Sequence, residues 1–391
     1  MKILYYTTSY HASHGGSIQS IEFFRHLDKD KSVEKYLFPE TGKDSIKKPR
    51  KDNGIKSFLK KFGLFQAVSF FRRNRFYFSG LIKRIREVKP DVLILQMDSN
   101  FLQIDKLRKL FPDLLICAQI NGSPFDEFYR NITFRNLFIK KQRHSYTKSD
   151  LNFFISDFSR QRIMGSDLDE SRDKVIYNGT DISKFFPLPD KKEIREKLGY
   201  PEDKIIIGYI GTLDFHKKLL RLTEAFREIE KELPDTALVI IGDGPAYSKI
   251  HHFIKHYSLE NKIILKGWIK HEQVNEHLNC FDIAVHHYAN HYMNPLKIFE
   301  YLAAGLPVIA PDIDSVKKIF RNNEDLIISS EDNRFLKEDL LRLIENKDFR
   351  EGLRNNHQTI ERIAKKYTWD CYSQTIIQEI NQKLNKSLEE D

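Results

Sequence analysis

Cysteine is scarce: three residues, Cys117, Cys280 and Cys371, in a chain of 391. Their odd number and wide spacing exclude both a disulfide framework and a zinc ligand set, and predict a reducing compartment. No apolar run approaches the ~18 residues of a membrane-spanning helix. Met1-Lys2 leads straight into "ILYY", too little for the apolar core of a signal peptide, so a cytoplasmic location is expected. The chain also lacks a Walker P-loop, a Gly-x-Ser-x-Gly elbow and a zinc-finger pattern, which removes several enzyme and nucleic-acid-binding classes. "HHYANHY" (286–292) is rich in histidine but has no H-E-x-x-H spacing and no carboxylate, so no metal is expected.

What the chain does have is ordinary globular composition, 40% hydrophobic and 30% charged, at a length that favours two domains. Its net charge of +9 is concentrated in residues 43–90, with "KKPRK", "KSFLKKFG", "FFRRNRF" and "LIKRIREVK". Basic residues interleaved with Phe and Leu suit an anionic membrane surface, a nucleic acid, or simply a solvated helical face.

Short runs of Ile, Val and Leu alternate with helix-like segments. "KILYY", "DVLILQM", "LLICAQI", "LNFFIS" and "KVIYN" occupy the first half, and "KIIIGYIG", "ALVIIGDG", "KIILKG", "DIAVHH" and "LPVIAPD" the second. Fully apolar strands between helices predict parallel sheets covered on both faces, hence two doubly wound α/β domains. Between them Pro187, Pro189 and Pro201 are expected to interrupt regular structure, which places the linker near 180–200. After residue 330 the pattern is helical only.

In such sheets ligands bind beyond the carboxyl ends of the strands. The loop after "KILYY" carries Gly15-Gly16 ahead of a helix start, which suits an anion or merely a tight turn. After "GYIG", Lys217 stands where an ammonium can neutralise a phosphate, although Lys217 and Lys218 can equally be solvated. "IIGDGP" reads as a structural turn. Trp268, in "KGWIKHEQV", is placed either to meet a base or to fill the core. The stretch "NPLKIFEYLAAGLPVIAPD" begins a helix beside Pro295 and sets Glu300 about one turn in, where it can receive a ligand's hydroxyls or complement the helix dipole.

Taken in order, "KILYYTTSYHASHGGSIQSIEFFRHL", "VIYNGTD", "GYIGTLDFHKK", "LVIIGDGP", "IILKGWIKHEQV" and "PLKIFEYLAAGLPVIAPD" resemble the retaining glycosyltransferases of family 4, group 1, over nearly the whole chain. The resemblance implies the GT-B fold, two Rossmann-like domains facing across a cleft. It makes 1–185 the acceptor-binding domain, with a C-terminal helix at about 367–388 packing back on it, and 186–366 the nucleotide-sugar domain. By that resemblance Glu300 would bind the ribose hydroxyls and the backbone at Pro295, Leu296 and Lys297 the diphosphate. Lys217 would balance the charge of the departing leaving group, while Trp268 and Ile269 would approach the base. Gly16 would line the cleft from the other domain, with Gly15, Asn121 and Gly122 on the acceptor side.

Three positions depart from the family pattern: Tyr292 replaces the first Glu of a Glu-x7-Glu pair, Thr212 an Arg, and Asn121 a His. Thr212 and Tyr292 are carried as donor-side residues, and Asn121 as catalytic with Lys217 and Glu300. The expected activity is metal-independent, retaining, hexosyltransferase-type transfer from a nucleotide-diphosphate sugar to a glycan, a lipid-linked cell-surface polysaccharide precursor. No cofactor is expected and no nucleic acid; an anionic inner membrane face is an expected peripheral partner. The alternative is a non-catalytic relative that binds nucleotide or glycan in support of another enzyme.

Overall fold

The computed structural model describes residues 1–8, 10, 15–39, 64–96, 103–123, 125 and 135–390. It resolves into two compact units: Met1–Tyr177 with Tyr372–Asp391, and Asn178–Cys371. Of the basic segment, residues 43–63 lie outside the described residues, while 64–88 form one helix, Leu64–Val88. Ser9, residues 11–14 and most of the 121–135 loop are likewise outside them.

The first unit holds six parallel strands, β1 (Lys2–Tyr6), β2 (Glu34–Phe38), β3 (Val92–Gln96), β4 (Leu115–Ile120), β5 (Leu151–Phe154) and β6 (Asp173–Val175), in the order β2-β1-β3-β4-β5-β6. Every residue of β3, β4 and β5 is buried, because helices cover both faces and no side chain is left for water. β2 is absent from the sequence reading: as an edge strand it is only partly buried, so "EKYLF" never forms an apolar run.

The second unit holds β7 (Ile205–Ile210), β8 (Thr236–Ile241), β9 (Ile263–Gly267), β10 (Ile283–Val285), β11 (Val308–Pro311) and β12 (Ile327–Ser329), in the order β12-β11-β10-β7-β8-β9 and again parallel throughout. Leu219, Leu222, Ala225, Phe226 and Ile229 of helix Leu219–Glu232 recur at helical spacing and form its buried face. The three-residue edge strand β12 was also invisible to pattern reading. The proline-bounded segment does contain a regular element, contrary to expectation. Asp190 accepts a hydrogen bond from the Glu193 backbone N–H to start helix Lys191–Leu198, and left-handed Gly199 ends it between Pro189 and Pro201.

The strand orders locate the binding edges. In each unit the order reverses direction at one point, between β1 and β3 in the first and between β7 and β10 in the second. Connections leave opposite faces of the sheet there, so a crevice opens beyond the carboxyl ends of those strands.

Candidate functional site

At the switch point of the second unit, the loop after β7 and the loop after β10 lie side by side. The β7 end is fixed from both sides of its last residue: the Tyr301 hydroxyl accepts from the Ile210 N–H at 3.0 Å and donates to the Ile210 carbonyl at 3.0 Å. Two glycines permit this packing. A Cβ on Gly208 would stand 2.0 Å from the Phe281 ring, and one on Gly242, at φ +143, would stand 1.8 Å from the Gly211 carbonyl oxygen. The "IIGDGP" turn is therefore a bed for the 211–213 loop, which it holds through Leu213 N–H to Asp243 O at 2.9 Å and Ala246 N–H to Leu213 O at 2.7 Å.

Beyond this bed Thr212 is exposed and a single 3-10 turn, Phe215–Lys217, leads to Lys218. Lys218 is left-handed, at φ +49, and its ammonium lies 3.7 Å from the centre of the Tyr288 ring and 3.6 Å from Glu331. Lys217 stays partly exposed at the strand-end surface.

After β10 come His286 and His287, both buried, then Tyr292, buried with its hydroxyl accepting from Asn290 Nδ2 at 2.7 Å. His291 is exposed. Helix Leu296–Ala303 follows. Pro295 stands at the N-cap, one position before the first helical turn expected for it, and among the described residues no side chain caps this end. Its first N–H groups thus face the strand-end surface with the positive end of the helix dipole behind them. Glu300 is only 3% exposed, and its carboxylate receives the Lys297 ammonium at 2.8 Å. The burial makes the opposing pair more than a solvated surface contact.

One residue outside the expected set holds this helix start in place. Asn178, from "VIYNGTD", gives its backbone N–H to Asn294 Oδ1 at 2.7 Å and its side-chain amide to the Asn294 carbonyl at 2.8 Å. Sequence reading quoted the motif without its purpose, since the two residues lie 116 positions apart.

Lys217, Lys297, His216 and His287 all bear electrostatically on His286, so the turn after β7 and the helix after β10 lie within electrostatic reach of it. Burial, first, and then the neighbouring groups, Lys217 foremost, hold the His286 imidazole neutral, well below the usual histidine range. Burial likewise pushes His287 down to about 4. The ensemble is a cationic, amide-lined surface with one buried carboxylate, suited to an anion carrying hydroxyl groups. Among the described residues no group of three or more His, Cys, Asp or Glu is disposed to hold a metal.

Trp268 follows β9, with β8 between it and β7, so it flanks the switch point roughly 10 Å off at ordinary strand spacing. It is 69% exposed, which excludes the core role; Ile269 beside it is half-buried. The remaining candidates belong to the first unit. Gly15 and Gly16 form the first turn of helix Gly15–His26 after β1, while Asn121 and Gly122 follow β4. Both polar atoms of the Asn121 amide are buried without a hydrogen-bond partner among the described residues, and the Gly122 carbonyl accepts from Ser159 at 3.4 Å.

Comparison with known proteins gives this geometry its class. Residues 190–359 match the family described as glycosyl transferases group 1, and the second unit is a domain of that family. The fold is that of GT-B glycosyltransferases. HepE of Anabaena in complex with UDP superposes with a TM-score of 0.75 over 98% of this chain and 100% of that one, at 16% identity. Among curated proteins, the putative teichuronic acid biosynthesis glycosyltransferase TuaC of Bacillus subtilis is 30% identical over 43% of this chain and 40% of its own length. The UDP-Gal:alpha-D-GlcNAc-diphosphoundecaprenol alpha-1,3-galactosyltransferase of Escherichia coli is 29% identical over 40% and 41%. The chain thus spans less than half the length of these two relatives, and 58% of that of an uncharacterized glycosyltransferase of Methanocaldococcus jannaschii.

Proposed function

We propose that the protein is a retaining, metal-independent glycosyltransferase that moves a sugar from a nucleotide-diphosphate donor, a UDP-sugar, to a lipid-linked glycan acceptor. The observation that carries the reading is the convergence of Lys217, the uncapped start of helix Leu296–Ala303 and the buried Glu300–Lys297 pair at the β7/β10 switch point. UDP is bound in the HepE structure, and the name of the E. coli relative gives both a UDP-sugar and a diphosphoundecaprenol-linked acceptor, which supports the choice of donor and acceptor class.

In this reading Glu300 receives the ribose hydroxyls and Trp268 with Ile269 flanks the base. The N–H groups of Leu296 and Lys297, beyond Pro295, take the diphosphate, with Thr212 and Tyr292 nearby. As the sugar–phosphate bond breaks, negative charge grows on the leaving phosphate. Lys217 and the helix N-terminus meet it with fixed positive charge, stabilising the transition state more than the ground state. The leaving phosphate oxygen takes the acceptor's proton on the face it departs from, so the anomeric configuration is kept without a protein nucleophile. Asn121 and Gly122, with Gly15 and Gly16, serve the acceptor from the first unit.

In this reading the basic segment 43–90 docks on an anionic surface to reach a lipid-linked acceptor. A second reading, a non-catalytic binding partner, is favoured only by the family departures at Tyr292, Thr212 and Asn121. The test is incubation of the purified protein with a panel of UDP-sugars and membrane extract, following UDP release and the anomeric configuration of the product by NMR. Release with an α-linked product from an α-linked donor supports transfer. UDP binding with no release from any sugar would move the account to the non-catalytic partner.

A further inference from the structure

His286 is not among the residues to which the donor reading gives a task, yet it occupies the centre of the switch point. It follows β10 directly, is 4% exposed, and neither ring nitrogen has a hydrogen-bond partner among the described residues. One face lies parallel to the Tyr209 ring, the centroids 6.3 Å apart. A neutral imidazole always carries one N–H, and leaving it unmade in a buried place costs about 1–3 kcal/mol. Folds retain such a group where a ligand completes the bond.

The groups that face it are known from each neighbouring element. Tyr209 comes from β7, His216 and Lys217 from the turn after it, Lys297 from helix Leu296–Ala303, and His287 adjoins it. Lys297 is matched by Glu300. Asp214, from the same turn, bears on Tyr209 and His216.

We propose that His286 is a third contact for the donor's diphosphate, its unpartnered imidazole donating a hydrogen bond to a phosphate oxygen held between Lys217 and Lys297. The inference rests on the donor-site reading above and deepens it. Such a contact fills the place left where Thr212 carries no charge. Both nitrogens are shielded from solvent, so the bond forms as the exposed residues Phe215 and His216 give way to the anion. With the site empty the ring is neutral. A diphosphate brings about two negative charges beside it, which reverses the local sign and draws a proton from solvent onto the second nitrogen.

The experiment is calorimetric titration of UDP, and separately of inorganic pyrophosphate, at about pH 6 and about pH 8 in buffers of different ionisation enthalpy. The proteins are wild type, His286→Phe, His286→Gln and His252→Ala, the last a control on an exposed helix. Wild type should take up more protons per UDP bound than either His286 variant, by on the order of half a proton near pH 6. The difference between proteins cancels the titration of the phosphate itself. His286→Phe should bind about tenfold more weakly, while His286→Gln, which keeps an N–H donor, recovers most of the affinity but none of the extra proton uptake. His252→Ala should match wild type.

Equal proton uptake and affinity in wild type, His286→Phe and His286→Gln, with UDP still bound, would overturn the role of His286 and leave the donor site standing. Failure of wild type to bind UDP or pyrophosphate at millimolar concentration would overturn both. The Gln variant and the wild-type proton count decide the matter even where the Phe variant does not fold.

Discussion

The two units build the same kind of parallel sheet and put opposite chemistry at its carboxyl edge. In the first, the described strand ends carry a neutral network, with the Asn121 amide left without a partner among the described residues. The Tyr5 hydroxyl donates to Gln119 at 2.7 Å, the side-chain amides of Gln119 and Gln19 donate to the Tyr372 hydroxyl at 2.7 and 2.9 Å, and Thr7 and Ser20 both bond to Gln96. In the second, the corresponding edge carries Lys217, Lys218, Lys297, His286 and His287 around one buried carboxylate, with polar groups left unmade. Neutral hydrogen bonds stabilise the fold around them; a cationic edge is suited to an anion. Fold alone therefore does not say where a donor goes, and the proposed donor site rests on the chemistry of the strand ends.

Acid should separate the units most sharply. His277 and His287 of the second unit are held at about 4 by burial, well under their value in the unfolded chain, and His286 is held low as well. Between about pH 6.5 and pH 4 the unfolded chain binds protons that the folded unit refuses, so stability falls as pH falls through that window. The loss is on the order of a few kcal/mol per histidine. Denaturant titrations at several pH values, read by hydrogen exchange, should show the second unit weakening first. Equal weakening of both would break the comparison.

Next in size is Lys217→Ala, expected to lower the transfer rate about 100-fold with little change in melting temperature, since the side chain is partly exposed. A drop confined to KM would reassign the lysine to ground-state binding. In the first unit, Tyr372→Phe removes the acceptor of two buried amides and should cost about 1–3 kcal/mol of stability while leaving UDP affinity unchanged. Weaker UDP binding in that variant would mean the two edges are not independent. Smallest in stability is Trp268→Ala, within about 0.5 kcal/mol because the ring is exposed, but with a several-fold loss of UDP affinity.

How much of this could be read from residues varies element by element. "KIIIGYIG" and "LLICAQI" announced themselves because burial on both faces leaves nothing polar to obscure the run. β2 and β12 escaped because edge strands are short or half-exposed. The different strand orders of the two sheets leave no trace in local pattern, as neighbours in a sheet are set by crossovers.

Glu300 and Lys217 were legible as residue types at strand ends, but their environment was not. The Lys297 partner, the Asn178–Asn294 clamp and the convergence on His286 join segments that only the fold brings together. "HHYANHY" drew attention as a metal candidate, and its two histidines at the end of β10 are buried. For Trp268 the sequence favoured a place in the core over contact with a base, and its 69% exposure overturned that expectation.

The most direct test is to titrate UDP, GDP, ADP and CMP into wild-type protein and Glu300→Ala by calorimetry. The account predicts that UDP binds wild type in preference to the others and that its affinity falls tenfold or more in the variant, about 1.4 kcal/mol. Undiminished UDP binding by Glu300→Ala would contradict the assignment of the β7/β10 edge as the donor site.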